Sequence, residues 1–394
     1  MTLDLLRVGP QVRRMGATLR TRAGWYEQRV WLARRTLSDQ AGNWQHLAEL
    51  ARTARGRRLA TPLERLDATY PLPPIPSAFR VIATDGSQIE PDRHGVADFY
   101  LINIGKVVID YGVRPAAALS SEPTLYFDRE DLYIQHGDRR ITVTDHHLSA
   151  KRSQLELQAA GTLAADPGEE PRPTVVLADG TLLMILPEDR PEDIFRENLL
   201  RPYVREMGRL GQAGVPLASY VSRPRATEVS ALLREATCKG LVERCDTCFG
   251  SGEGVCGLDA LPDRELFRAL APGERSALFS MTLSSPLLDY YQPEGIDQVP
   301  RFFYVNVGSE IARVELSAWV AADSARIDLV HSVIVDQCRR GQGYPVTIAR
   351  AHEQAVVTGQ DRAAFRRMLE ETLVREGVPG RTSEKQLSKD RKAV

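Results

Sequence analysis

Two short apolar runs end in the same dipeptide, and together they narrow the fold more than any other feature. Phe79-Arg80-Val81-Ile82-Ala83-Thr84 leads into Asp85-Gly86-Ser87, and Thr174-Val175-Val176-Leu177-Ala178 leads into Asp179-Gly180. The second run is apolar at successive positions. That pattern predicts a strand covered on both faces, as at the centre of a parallel sheet. Strand-like runs also occupy 98–104 and 106–111, with a hairpin-like turn expected at Gly105-Lys106. A helix is expected over 147–165, where Leu148, Leu155, Ala159 and Leu163 can share one face, until prolines stop it at 167–173. Residues 191–210 read as a helix interrupted near Pro202, and 215–221 as a strand. The order β-β-β-α-β-α-β predicts an α/β fold: a mixed sheet of a three-stranded antiparallel meander plus two parallel crossover strands, with flanking helices. The simplest topology sets 174–179 beside 80–85. Parallel neighbours bring their carboxyl ends together, where open α/β sheets hold ligands. Asp85 and Asp179 would then face one crevice.

The flanks divide the chain further. Its 394 residues suit two or three domains. Residues 1–70 form an Arg-rich region with helical spacing at Val30, Leu32, Leu37, Trp44, Leu47 and Leu50. A Pro-rich linker fills 71–78, and a main domain is expected over 79–370. A Cys-rich insertion spans about 225–295. Strand-like runs at 302–307 and 312–320 follow, then helices at 324–339 and 348–369. The polar tail, 380–394, is expected to be disordered. An apolar fraction of 43% excludes a disordered chain. The 51 basic and 52 acidic residues nearly cancel, so net charge neither announces nor excludes a nucleic-acid groove. No apolar run is long enough to span a membrane. The opening MTLDLLRVGPQVRRMG lacks an apolar signal core, so a cytoplasmic location is expected.

Two acids at adjacent strand ends are what a divalent-cation site needs, because Mg²⁺ and Mn²⁺ take hard oxygen ligands. A carboxylate-held metal pair can cleave phosphodiesters. Each Asp-Gly also reads as an ordinary turn at a strand end. Glu156, on the crossover helix, can supply a third carboxylate or be a solvated helical residue paired with Arg152. His352, after Gly343-Tyr344-Pro345, can ligate a metal, shuttle a proton, or simply be a surface histidine.

These residues match a family. Ala83-Thr84-Asp85-Gly86-Ser87-Gln88-Ile89, Phe99 to Gly105, Leu177-Ala178-Asp179-Gly180-Thr181-Leu182, Ser219-Tyr220-Val221-Ser222-Arg223, and Gly343-Tyr344-Pro345 leading to Ala351-His352 resemble the NurA nuclease domain over about 78–370. The resemblance implies an RNase H-like core. It implies Mn²⁺-dependent (or Mg²⁺-dependent) DNA cleavage, as a 5′-to-3′ exonuclease and single-strand endonuclease, in end processing at double-strand breaks. It further implies a homodimer that docks on a HerA-type hexameric ATPase. The metal-binding and catalytic set falls on Asp85, Glu156, Asp179 and His352. Arg223 and other arginines would hold phosphates. Tyr220 or Tyr344 could stack a base or serve in packing.

Cys238, Cys245, Cys248 and Cys256 are spaced C-x6-C-x2-C-x7-C. That suits a four-thiolate site for structural Zn²⁺, with a [4Fe–4S] cluster as the competing occupant. Two other functions fit the same sequence: a non-catalytic DNA-repair scaffold, which needs neither Asp85 nor Asp179, and a phosphoryl-transfer enzyme of the same fold acting on nucleotides.

Overall fold

The structure is a computed structural model that describes residues 4–54, 58–91, 98–136, 139–168, 170–184, 195–237, 258, 261–293 and 297–378. The chain divides into two compact units. One comprises 73–220, 285–300 and 315–394; the other comprises 1–72, 221–284 and 301–314.

The first unit carries the expected mixed sheet. In chain order its strands and helices are β1 (Phe79–Ile89), β2 (Tyr100–Tyr111), β3 (Ala116–Tyr126), α1 (Asp145–Ala164), β4 (Thr174–Asp179), α2 (Arg201–Gln212), β5 (Leu217–Val221), α3 (Ser324–Arg340) and α4 (Val346–Ala355). Strand order is β5-β4-β1-β2-β3. Strands β1, β2 and β3 form the antiparallel meander. Strand β4 runs parallel to β1, with Ala83 opposite Leu177, and β5 runs parallel to β4, with Asp179 opposite Tyr220. This connectivity is RNase H-like. Val175, Val176 and Leu177 are all buried, as their unbroken apolarity predicts.

Side chains alternate along β2 and sort its two faces. Tyr100, Ile102 and Ile104 share a buried cluster with Leu148 of α1, and Leu155 and Ala159 pack against it. The neighbouring positions face α4: Asn103 Nδ2 donates to the Ala355 carbonyl at 2.8 Å. Arg80 and Asp110, paired in register across β1 and β2, form a two-point ion pair at 2.7 and 2.8 Å. The Arg80 guanidinium holds the Asp110 carboxyl below its ordinary range.

Three expectations need correction. Gly105-Lys106 is not a turn: β2 runs unbroken from Tyr100 to Tyr111, and Gly105 serves a helix contact described below. The third meander strand is β3, which had no sequence signal because it is exposed along nearly its whole length and shows no apolar alternation. The stretch 348–369 is two helices, because Thr358 starts a second one, Gly359–Arg375, through a capping box with Asp361. The expected break near Pro202 is present: a π-helical turn at Arg196–Leu200 ends there and α2 begins at Arg201 with Pro202 next in line. Pro202 sits in the first turn of α2, where no amide donor is needed.

In the second unit, the helix Leu5–Asp39 buries Val30, Ala33 and Leu37 against Leu47, Val229, Leu232 and Leu233. The sequence reading kept 1–70 and the start of the 225–295 insertion apart. The structure packs them around one core because each brings a half-covered apolar helical face. Short strands Ala60–Pro62, Phe279–Met281 and Arg301–Asn306 pair antiparallel in this unit. Asp263 is fully buried and caps the helix Glu228–Thr237 by accepting from the Val229 and Ser230 amides at 3.0 and 2.8 Å. Burial pushes its carboxyl up to about 7.

Candidate active site

Strand register places the two aspartates. Asp85 and Asp179 each lie two residues beyond the paired Ala83 and Leu177, so both leave the sheet on the same face. Opposite Asp85 across β2 is Gly105. A Cβ there would stand 2.6 Å from the Ala355 amide nitrogen and closer still to the Ala351 carbonyl. Glycine therefore lets α4 lie against the sheet. That approach carries His352 to Asp85, with Nδ1 2.7 Å from Oδ2. The imidazole is otherwise 67% exposed, and Nε2 is the ring nitrogen left for another partner.

The other face supplies Glu156. Thr84 Oγ1 donates to the Glu156 carbonyl at 2.8 Å and fixes α1 along β1. A Cβ on Gly86 would come within 2.6 Å of Glu156 Oε1 and of Arg152 Cγ, so the second residue of the Asp-Gly pair makes room for the acid. Arg152 Nε lies 3.2 Å from Glu156 Oε1. Burial nevertheless pushes the Glu156 carboxyl up to about 7, and the Asp85 and Asp179 charges push the same way against Arg152. Asp85, Glu156 and Asp179 line one cavity of about 160 Å³, together with Thr84, Thr181 and Tyr203.

Asp179 accepts from the Tyr344 hydroxyl at 2.7 Å. Burial and the Asp179 charge raise the Tyr344 phenol well above its ordinary value, so it stays a donor. The loop after Asp179 turns at Gly180, whose φ of 80° favours glycine. Glu315 then anchors the loop by accepting from Thr181 Oγ1 and the Leu182 amide, both at 2.8 Å.

Residues 79–357 match the NurA domain. The chain belongs to the NurA family. No curated protein matches its sequence. Among solved structures, a crystal structure of NurA is similar with 12% identity, covering 76% of this chain and 90% of that one, at a TM-score of 0.31. The catalytic domain of human Endonuclease V shares 13% identity over 76% of this chain and 85% of its own, also at 0.31. The type 1 RNase H named LC9-RNase H1 shares 10% identity over 40% of this chain and 70% of its own, at 0.21.

Within this NurA domain, the structure brings together Asp85, Glu156, Asp179 and His352. Among the described residues, no three His, Cys, Asp or Glu side chains already converge as a metal cage. Each acid instead has a protein partner: His352 for Asp85, Arg152 for Glu156 and Tyr344 for Asp179. The donor chemistry still fits a hard divalent cation. Three carboxylates share one cavity, and mutual repulsion helps to raise the pKa of one of them.

The predicted base-stacking residues fare differently. Tyr220 is fully buried, packed edge-on against Tyr344 with ring centroids 5.4 Å apart, so it has no face to offer a base. Tyr344 is committed through its hydroxyl to Asp179. Arg223, with φ of 42°, belongs to the second unit, and its amide donates to Glu310 at 2.9 Å. Cys238, Cys245, Cys248 and Cys256 lie outside the described residues, as does the tail 380–394. Sequence reasoning missed the Tyr344–Asp179 bond and the Glu315 anchor. A carboxylate inside the otherwise apolar run Val314-Glu315-Leu316 was the available signal for Glu315.

Proposed function

We propose that this NurA-family nuclease hydrolyses phosphodiester bonds in DNA at the cavity lined by Asp85, Glu156 and Asp179, with His352 beside them. The observation that carries the reading is the three carboxylates from two strand ends and one helix, drawn into one cavity and repelling one another. These acids, with His352, would hold Mn²⁺ or Mg²⁺. Such a cation, when bound, supplies activation of water at neutral pH and charge stabilisation at the phosphate.

The chain's own groups do the positioning. His352 orients the Asp85 carboxylate through Nδ1 and leaves Nε2 as the ring nitrogen that would face the cation. Tyr344 orients Asp179 and keeps its own proton. Glu156 gives up a proton near neutral pH, which suits either a ligand or a proton acceptor. Arg152 offers the scissile phosphate a cation once Glu156 turns to another partner.

Family membership supports the finer reading: 5′-to-3′ exonuclease and single-strand endonuclease action in end resection at double-strand breaks, by a cytoplasmic homodimer acting with a HerA-type hexameric ATPase. Among the described residues no helix is long and apolar enough to cross a membrane. A Zn²⁺ or [4Fe–4S] group on the four cysteines is part of the same proposal.

The test uses single- and double-stranded DNA labelled at either end, with Mn²⁺, Mg²⁺ or EDTA, beside Asp85→Ala and Asp179→Ala. The reading expects metal-dependent degradation that both variants lose, with the order of product release giving the polarity. A folded wild-type protein that leaves DNA intact, with and without a HerA-type ATPase, contradicts it and favours the scaffold function.

A further inference from the structure

A second cavity, of about 530 Å³, opens beside α1. Its size lies in the range of small-ligand sites. Among its lining residues are Tyr100, Tyr133, Arg129, Arg140, Lys151 and Asp131. With Glu130, the wall sets three basic side chains against two carboxylates.

Lys151 is the unusual group. Its Nζ donates to the Tyr100 hydroxyl at 2.7 Å and stands 3.8 Å over the centre of the Tyr126 ring. Tyr126 in turn stacks on Tyr100 at 4.7 Å. Its carboxylate partner, Asp131, is 4.0 Å away, beyond hydrogen-bond distance. Burial lowers the Lys151 pKa. An ammonium withdrawn from water normally takes a close anion. Here a phenol and two ring faces stand in its place, and donor capacity remains for an anionic guest. In the same lining, the Arg140 guanidinium lies over the Tyr133 ring at 5.6 Å. A guanidinium over an aromatic ring is a platform on which a base can stack. Lys151 precedes Glu156 by five residues, about 7.5 Å along the helix axis.

We propose that this cavity is a nucleotide subsite of the DNA groove. Lys151 takes a phosphate and the Arg140–Tyr133 pair stacks the base, in a strand whose scissile bond lies at the acids. The proposal rests on the DNA-cleaving function argued above and adds a grip on the strand that the acids do not provide.

The test is binding without cleavage. Fluorescence anisotropy of 3′-labelled oligothymidylate is followed in EDTA over a range of salt, with the full-length protein. Lys151→Met keeps the apolar stem and removes the charge. Arg140→Ala changes an exposed residue, so it decides alone if Lys151→Met fails to fold by thermal melting. Each folded variant is expected to bind about tenfold more weakly or worse. Lys151→Met should also lower the salt slope by about 0.7, the loss of one phosphate contact to a single strand. Wild-type affinity and an unchanged slope in the folded variants would overturn the subsite. The two readings fail separately. Cleavage lost in Asp85→Ala with normal binding by the cavity variants removes the subsite and keeps the nuclease. Weakened binding in those variants with no cleavage by wild type keeps the subsite and removes the nuclease.

Discussion

Glu156→Gln should stabilise the metal-free protein at alkaline pH while it destroys activity. The Glu156 carboxyl is pushed from an ordinary 4.5 to about 7, first by burial and then by Asp85 and Asp179, with Arg152 opposing. Between those two values the folded protein holds a proton that the unfolded chain releases. Stability from this group is therefore fully present below pH 4.5 and is lost as pH rises to about 7. At ~1.4 kcal/mol per pH unit, the loss amounts to roughly 3 kcal/mol. Glutamine carries no charge to bury and escapes it. Asp263 is pushed up to about 7 as well and tilts the wild-type curve in the same direction. The difference between wild type and Glu156→Gln cancels that contribution. Urea denaturation in EDTA at pH 5 and pH 8 measures it. The two proteins should be close at pH 5, and the variant should be more stable by up to about 3 kcal/mol at pH 8. Added Mn²⁺ should close the gap by holding the wild-type carboxylate ionised. A variant no more stable than wild type at pH 8 would refute the claim that Glu156 is a crowded, desolvated acid.

Other substitutions probe the scaffold of the site. Gly105→Ala pushes a methyl into the Ala351–Ala355 turn of α4 and should destabilise by about 1–3 kcal/mol, read by thermal melting, and uncouple His352 from Asp85. Tyr344→Phe removes only the hydroxyl bond to Asp179. DNA cleavage should fall about tenfold or more with melting within ~1.5 kcal/mol of wild type. His352→Ala should slow cleavage strongly and leave stability nearly unchanged, since the ring is mostly exposed; steady-state rates beside a melting curve check both. Glu315→Gln should loosen the loop after Asp179 and lower activity more than stability, as hydrogen exchange at Thr181 and Leu182 would show.

Much of the catalytic unit was legible in the sequence, because its informative segments are buried. The unbroken apolarity of Val175 to Leu177 reads as a central strand, and two strands ending alike set Asp85 beside Asp179, while the resemblance to the NurA domain is what selects both over ordinary turns. What escaped had physical reasons. Strand β3 is exposed at nearly every position, so no alternation marks it. Gly105 looks like a turn residue, but its lack of a side chain is used for helix approach, which only the packed structure reveals. Tyr220 and Tyr344 offered two aromatic rings, and sequence could not tell that one is buried and the other bonded to Asp179. The Lys151 cavity depends on a lysine meeting tyrosines some 25 and 51 positions away, a pairing with no local pattern.

The proposed function requires Asp85, Glu156 and Asp179 to act together as one metal-dependent DNA-cleaving site. The most direct measurement is the single-turnover cleavage rate of labelled DNA in Mn²⁺ for wild type and for Asp85→Asn, Asp179→Asn and Glu156→Gln. These shape-preserving changes remove charge and little else. Wild type should cleave in a metal-dependent way, and each variant should lose a hundredfold or more, roughly 3 kcal/mol of barrier. Cleavage at the wild-type rate by any one of the three folded variants would contradict that requirement.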